Sequence, residues 1–184
     1  MIELYFDMDG VLVDFRGGVL KLYQKYGLSI PEVSTDLLKY SKKVSNIVMN
    51  SEEFWLSLEE KKITGDLLKK YRSISYVASS PNIELSATPK LKWLENKFGK
   101  DIMKRTVLTA SKHLLAKNNR VLIDDDVINC NRFVEHGGRA ILFDGYLQTI
   151  RLREGYKADS RIAVVTPNKL ANLLEKIIKM SQKT

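Results

Sequence analysis

Carboxylates follow two apolar segments of this chain in an arrangement that suits metal and phosphate chemistry. The segments occupy residues 2–6 and 120–123, and directly after them come Asp7, Asp9, Asp124, Asp125 and Asp126. If both segments are strands of one parallel sheet, these side chains meet at its carboxyl edge, where open α/β sheets bind ligands. Carboxylates that lie close together repel by several kcal/mol at an effective dielectric constant of about 20. A hard cation with oxygen ligands, of which Mg²⁺ fits best, would relieve that repulsion.

Two of these acids also fit a simpler structural role. Asp9 precedes Gly10 and suits a turn, and Asp126 precedes a predicted helix and suits its N-cap. Turns and caps do not account for the whole group, so we expect a reactive site. Ser79 and Ser80 follow another apolar segment, and they offer hydroxyl and N–H groups to phosphate oxygens.

The apolar pattern predicts strands that alternate with helices. Predicted strands occupy residues 2–6, 74–78, 106–108, 120–123, 139–143 and 162–165. Predicted helices occupy residues 11–26, 66–71, 89–98 and 127–136, and a last helix begins at Pro167 with Thr166 as its N-cap. This alternation predicts an α/β fold with a mainly parallel sheet and helices on both faces.

Residues 28–65 differ in texture from the rest of the chain. Their apolar residues are sparser, which predicts a small helical insertion. The predicted division is a core domain of residues 1–27 and 66–184, with the insertion as a cap. Phe54 and Trp55 in the insertion fit either stacking on a nucleobase or packing in the core of the cap.

Composition limits the class of protein. The chain has 184 residues, 44% hydrophobic and 28% charged, which predicts one globular domain with a small insertion. No window approaches the ~20 apolar residues of a membrane span, and the short, acidic N-terminus is unlike a signal peptide. The single cysteine, Cys130, excludes an intramolecular disulfide and a cysteine-based zinc site, and it predicts a reducing, cytoplasmic compartment. Cys130 and both histidines, His113 and His136, are predicted to be packing or surface residues without ligand partners.

The candidate residues occur in the order of four known motifs. The first is DMDGV at residues 7–11, the second is Ser79 at the end of an apolar segment, the third is a lysine, and the fourth is the pair Asp124 and Asp125. This set resembles the haloacid dehalogenase superfamily. The resemblance implies that superfamily's Rossmann-like α/β fold with a cap insertion.

Within that superfamily the chain is most similar to the 5'(3')-deoxyribonucleotidases. The similar stretches are FDMDGVLVDF at residues 6–15 with Gly17 and Gly18 after it, SSP at 79–81, and KLKWLENKFG at 90–99. The resemblance covers residues 1–20 and 75–143, and the insertion takes no part in it. Ser79 stands where that family usually has Thr.

The resemblance implies a role for each site residue. Asp7 would be the nucleophile that forms an aspartyl-phosphate, and Asp9 would be the general acid and then the base. An exposed carboxyl has a pKa near ~4, so Asp7 is expected to be ionised at neutral pH. Mg²⁺ would be held by Asp7, by Asp9 through its backbone carbonyl, and by Asp124 and Asp125. The sequence leaves open which of the last two binds the ion directly. Phosphate would be bound by Ser79, Ser80, Lys90 and Lys112, with Lys90 the first choice for the motif lysine.

The implied substrate is a small phosphomonoester, namely a (deoxy)nucleoside monophosphate. The net charge of +8 keeps two alternatives open: a phosphatase of polynucleotide 3'-phosphates or another phosphometabolite, and a non-catalytic protein that binds nucleic acid or a partner. Residues 90–120 hold nine basic residues against two acids, and they include Lys90 and Lys112. This location favours a bound phosphate monoester over a nucleic-acid surface. No membrane contact is expected, and oligomeric state does not follow from the sequence.

Overall fold

Parallel strands form a single sheet in the described part of the chain. The computed structural model describes residues 1–31, 36–81, 86–143 and 154–182. The strands are β1 (Glu3–Phe6), β2 (Ser75–Ser79), β3 (Thr106–Leu108), β4 (Arg120–Asp124), β5 (Arg139–Phe143) and β6 (Ala163–Val165). Every neighbouring pair among them runs parallel, as predicted.

The first strand lies inside the sheet. The strand order is β3-β2-β1-β4-β5-β6, so the chain builds outward from β1 to β3 and then crosses back to β4. The order reverses between β1 and β4, and open sheets bind ligands at the carboxyl end of such a switch point. Phe6 of β1 pairs with Ile123 of β4. The register therefore sets Asp7 beside Asp124.

Helices cover both faces of the sheet. They are α1 (Phe15–Lys25), α2 (Leu37–Tyr40), α3 (Lys42–Asn50), α4 (Glu52–Leu56), α5 (Lys62–Lys70), α6 (Ala87–Phe98), α7 (Val127–Glu135) and α8 (Pro167–Ser181). Side chains alternate along β4, since Ile123 packs in one apolar core with α1, α5, α6 and α8, while Leu122 packs in the other with α7. Cys130 of α7 is buried in this second core, as predicted. The two-faced α/β architecture is thus confirmed.

The N-terminal helix is shorter than predicted. It begins at Phe15, whereas the apolar pattern predicts a start at residue 11. The chain first closes a tight turn, in which two N–H groups donate to the carbonyl oxygen of Met8 at 2.8 and 2.9 Å. Asp14 then caps α1, because its Oδ1 accepts from the N–H of Gly17 at 3.1 Å. The apolar residues of this turn are buried. In the sequence they therefore extend the apolar pattern of the helix toward the N-terminus, which explains the predicted start.

Helices occupy most of the described part of the predicted insertion. It contains α2, α3 and α4, and its residues 32–35 lie outside the described part. Helix α5 begins at Lys62 and so crosses the predicted boundary at residue 65, because its first four residues contain a single large apolar side chain and show no apolar periodicity. Leu67 and Leu68 of α5 pack in the same core as the sheet. The division into core and cap stays a prediction.

Strands β2 and β4 each run one residue further than predicted. Ser79 and Asp124 are therefore the last residues of their strands. Helix α8 begins at Pro167 with Thr166 as N-cap, as predicted. None of the helices in the described ranges combines the length and the apolar character needed to span a bilayer.

Removing the cap of α1 should lower stability. We expect Asp14→Ala to reduce the free energy of unfolding by about 1 kcal/mol, because the N–H of Gly17 loses its acceptor. In a chain of this size that corresponds to a fall in Tm of about 2–4 °C. Asp14→Asn retains a capping oxygen and should keep the wild-type Tm. Thermal unfolding followed by circular dichroism compares the three proteins, and a wild-type Tm for Asp14→Ala would contradict the cap.

Candidate active site

Buried carboxylates meet where β1 and β4 end. Asp7, Asp124 and Asp125 are at most 6% exposed, and one carboxylate oxygen of each lies within 4.8 Å of the others. The N–H of Asp7 donates to the carbonyl of Ile123 at 2.9 Å, which fixes the residue after β1 against β4. The structure thus brings together three of the four acids that are expected to hold Mg²⁺, and their role stays a prediction.

A buried lysine joins two of these acids. Lys112 lies in a 3₁₀ turn, Lys112–Leu115, and its Nζ donates to Asp7 Oδ1 and to Asp124 Oδ2, both at 2.6 Å. Burial by itself lowers the pKa of Lys112, but the charges of Asp124 and Asp7 together outweigh burial. The net pKa lies above the ordinary lysine value, so the side chain is charged.

The nucleophile candidate has an unusual acidity. Burial raises the pKa of Asp7, Lys112 lowers it, and the charges of Asp124 and Asp9 raise it again, which leaves it at about 7. The expectation of an exposed carboxyl with an ordinary pKa is therefore wrong, because the side chain is buried. A cation bound beside Asp7 would favour its ionised form.

Asp125 has the features of a metal ligand. Its Oδ1 is buried and has no hydrogen-bond partner among the described residues, which is costly for a carboxylate. Burial, and then repulsion from Asp124 and Asp7, raise the pKa of Asp125 well above its ordinary value. A Cβ on Gly10 would lie 2.2 Å from Asp125 Oδ2, so glycine is required beside this carboxylate. The donors are all carboxylate oxygens, which fits Mg²⁺.

A second buried lysine holds Asp9. Lys90 Nζ donates to Asp9 Oδ2 at 2.5 Å, to Ser79 Oγ at 3.2 Å and to the backbone carbonyl of Ser80 at 2.8 Å. These bonds use all three ammonium protons. The Ser79 oxygen accepts from Lys90, and its hydroxyl proton has no acceptor among the described residues, so this proton is available to a ligand.

The two lysines occupy different positions around the acids. Lys90, the first choice from the sequence, contacts Asp9 rather than Asp7. Lys112, the second choice, contacts the candidate nucleophile directly. Two of its three ammonium protons have acceptors among the described residues, so one N–H is left for a phosphate oxygen. The geometry therefore favours Lys112 over Lys90 as the cation nearest a bound phosphoryl group.

The first turn of α7 supports Asp124. The N–H of Asp126 donates to Asp124 Oδ1 at 2.9 Å, and Asn129 Nδ2 lies 3.3 and 3.2 Å from its two carboxylate oxygens. Asp126 caps α7, as predicted, by accepting from the N–H of Ile128 at 2.9 Å. Sequence reasoning missed Asn129. Its position three residues after a predicted N-cap, in a helix that starts at the acidic motif, is the signal that identifies it.

Phe54 and Trp55 pack in the interior. They are 5% and 2% exposed, and Trp55 Nε1 donates to the carbonyl of Val48 at 3.0 Å, which favours the packing interpretation over base stacking. Half-buried Phe15, which sequence reasoning did not single out, packs on Trp55 with ring centres 5.5 Å apart. Lys90 Nζ lies 5.0 Å from the centre of the Trp55 ring. An aromatic cluster with one half-buried member, Phe15, therefore lies beside Lys90.

Comparison with known proteins assigns this arrangement to a family. The family model for 5' nucleotidase, deoxy (pyrimidine), cytosolic type C, matches residues 1–166. The chain belongs to this nucleotidase family. The resemblance drawn from the motifs is confirmed.

A curated relative supports the same family. The mitochondrial 5'(3')-deoxyribonucleotidase of Mus musculus is 26% identical over 144 residues, which cover 67% of this chain and 64% of the relative. The match thus spans less than two thirds of that relative's length.

Solved structures of low sequence identity share the fold. A haloacid dehalogenase family hydrolase from Deinococcus radiodurans, with bound phosphate and sodium, has a TM-score of 0.64 at 14% identity, covering 95% of both chains. A haloacid dehalogenase-like hydrolase from Streptococcus pneumoniae has a TM-score of 0.61 at 14% identity, covering 95% of this chain and 98% of that one. The chain therefore has the haloacid dehalogenase fold.

Replacing Asp125 with a neutral residue should raise the stability of the metal-free protein and remove the stabilisation by Mg²⁺. In chelator-treated protein we expect Asp125→Asn to raise Tm by about 2 °C or more, because a buried, mutually repelling charge is removed. With Mg²⁺ present, the variant should lose the rise in Tm that wild type gains, because a ligand is gone. Thermal unfolding with chelator and with Mg²⁺ measures both effects.

Asp126→Asn is the matched control. It removes the same formal charge one residue away and retains a capping oxygen, so it should respond to Mg²⁺ as wild type does. A full Mg²⁺ response in Asp125→Asn, or a lower Tm for that variant in chelator, would contradict the assignment of Asp125.

Proposed function

We propose that this chain is a Mg²⁺-dependent phosphomonoester hydrolase that acts on (deoxy)nucleoside monophosphates through an aspartyl-phosphate on Asp7. The observation that carries the proposal is the contact between Lys112 and Asp7 beside Asp124 and Asp125. A carboxylate is a nucleophile for phosphorus only where the repulsion between the two anions is offset. Here one ammonium group and a cation site adjoin that carboxylate.

The reaction divides into two displacements at phosphorus. In the first, a carboxylate oxygen of Asp7 forms a bond to phosphorus, the bond to the nucleoside oxygen breaks, and Asp9 gives that oxygen a proton. In the second, Asp9 takes a proton from water, whose oxygen displaces Asp7 and releases inorganic phosphate. Mg²⁺, when bound by Asp7, Asp9 through its carbonyl, Asp124 and Asp125, supplies charge neutralisation for the transferred phosphoryl group.

The lysines and serines position the acids and offer hydrogen bonds to the phosphoryl oxygens. Lys112 keeps Asp7 oriented and offers its third N–H to a phosphoryl oxygen. Lys90 holds Asp9 and the end of β2, and the free hydroxyl proton of Ser79 is available to a second phosphoryl oxygen. Ser80 stays a candidate for a further contact to phosphate.

The nucleoside specificity is supported by the aromatic cluster. Phe15 is half-buried and packs on Trp55, which lies beside Lys90. A partly exposed aromatic residue near the proposed phosphate site suits stacking against a base. Phe15, rather than Phe54 or Trp55, is therefore the residue proposed to stack on the nucleobase.

The distribution of positive charge supports a small substrate over a polynucleotide. Among the described residues, four of the nine basic residues between 90 and 120 form ion pairs with acids outside that stretch: Lys90, Lys92, Lys112 and Arg120. Paired cations contribute little to a field that attracts a nucleic-acid backbone. A cytoplasmic location stays a prediction from the single cysteine.

Replacing the nucleophile tests the mechanism and the substrate class together. We expect Asp7→Asn to lower phosphate release by more than about a thousandfold on every substrate, because an amide forms no acyl-phosphate. Phosphate release is measured with Mg²⁺ on deoxynucleoside and nucleoside monophosphates, a polynucleotide 3'-phosphate and sugar phosphates. Nucleoside monophosphates should give the highest kcat/KM, and chelation should abolish all turnover.

Asp126→Asn serves again as the charge-matched control and should keep wild-type turnover. Full activity of Asp7→Asn would exclude Asp7 as nucleophile, and turnover in chelator would exclude the metal dependence. A preference for the polynucleotide 3'-phosphate would overturn the substrate class. Salt-sensitive DNA binding without turnover on any substrate would overturn the enzymatic proposal.

The stacking role of Phe15 can be separated from the chemistry. We expect Phe15→Ala to raise KM for a deoxynucleoside 5'-monophosphate by about tenfold, since stacking on a base contributes about 1–3 kcal/mol. The KM for deoxyribose 5-phosphate, which lacks a base, should stay at the wild-type value. Phe15→Tyr retains a ring and should behave as wild type. An equal rise in KM for both substrates would mean that Phe15 only supports the fold.

A further inference from the structure

The two histidines of the chain lie side by side. The sequence separates His113 from His136 and predicts no ligand partner for either, but their ring centres are 4.6 Å apart with an angle of 51° between the ring planes. The 3₁₀ turn Lys112–Leu115 packs on α7 and brings His113 beside His136, the C-cap residue of that helix. His136 is exposed and His113 is half-buried, so solvent reaches the pair.

The separation of the rings fits two ligands of one ion. Imidazole nitrogen binds Zn²⁺ at about 2.0–2.1 Å, and two such ligands at tetrahedral or right angles have ring centres roughly 4.5–5.3 Å apart. The observed 4.6 Å falls in that range. The tilt between the planes is also compatible with two rings that converge on a point.

The hydrogen bonding of His136 prepares it to bind a metal. Its Nδ1 lies 2.8 Å from the carbonyl oxygen of Arg132, an acceptor, so Nδ1 carries the proton in this contact. In the neutral ring, Nε2 then holds the free lone pair. Metal-binding histidines commonly donate their second ring N–H to a backbone carbonyl, which fixes tautomer and orientation.

We propose that His113 and His136 form a surface site for one divalent transition-metal ion of the class that prefers imidazole, such as Ni²⁺ or Zn²⁺. Water completes its coordination. The site is distinct from the carboxylate cluster, whose oxygen donors suit Mg²⁺ instead. An ion bound there links the turn that carries Lys112 to the helix that follows Asp124 and Asp125.

Titration with Ni²⁺ in the presence of excess Mg²⁺ tests the site, because Mg²⁺ occupies the carboxylates and competes poorly for imidazole. Tag-free protein is used in calorimetry and in NMR. We expect one equivalent of Ni²⁺ to bind, and His113→Asn and His136→Gln each to weaken binding by about tenfold or more. The chain has only two histidines. Paramagnetic Ni²⁺ should therefore broaden both sets of imidazole signals together.

Asp125→Asn is the control that locates the ion. It removes a ligand of the proposed Mg²⁺ site and should leave the affinity for Ni²⁺ unchanged. Ni²⁺ should also raise the Tm of wild type but not that of the double histidine variant. Wild-type affinity in the double variant would overturn the proposal, and so would broadening of one histidine alone. Loss of Ni²⁺ binding in Asp125→Asn would assign the ion to the carboxylates instead and overturn it as well.

Discussion

Repulsion among carboxylates at the carboxyl edge of the sheet is the constraint that the surrounding structure has to meet. The group consists of Asp7, Asp9, Asp124 and Asp125, and charges in such a setting are costly to remove from water. Lys90 and Lys112 compensate two of the four formal charges. The remaining two equal the charge of one divalent cation. This shortage of positive charge agrees with the buried carboxylate oxygens of Asp9 and Asp125, one on each residue, that have no hydrogen-bond partner in the described part of the chain.

The fold meets this constraint by drawing the charges from separate segments. The acids lie at or just after the ends of β1 and β4, the two neighbouring strands at the switch point, where parallel strands end side by side. The lysines come from α6 and from the turn after β3, so each cation enters from outside the sheet. No segment alone holds a balanced group.

Sequence patterns predict the parts of the structure that depend on local order. The strands, and the position of Asp7 after the first of them, follow from apolar runs and motif spacing. The partners of the lysines do not, because Lys112 meets Asp7 across 105 positions and a contact of that range leaves no periodic signal. The same reason hides the pairing of His113 with His136. The predicted start of α1 is wrong for a different reason, because the buried turn before it has the same apolar spacing as a helix.

The interior position of β1 in the sheet affects how the nascent chain folds during translation. β1 pairs with β2 on one side and with β4 on the other, and β4 begins at Arg120, more than a hundred residues after β1 ends. Until that segment leaves the ribosome, one edge of an apolar strand is unpaired, and open edges of this kind recruit other chains. A nascent chain that stops short of β4 therefore needs protection from aggregation. The pair Asp7 and Asp124 can therefore form only late in translation, after β4 has been synthesised.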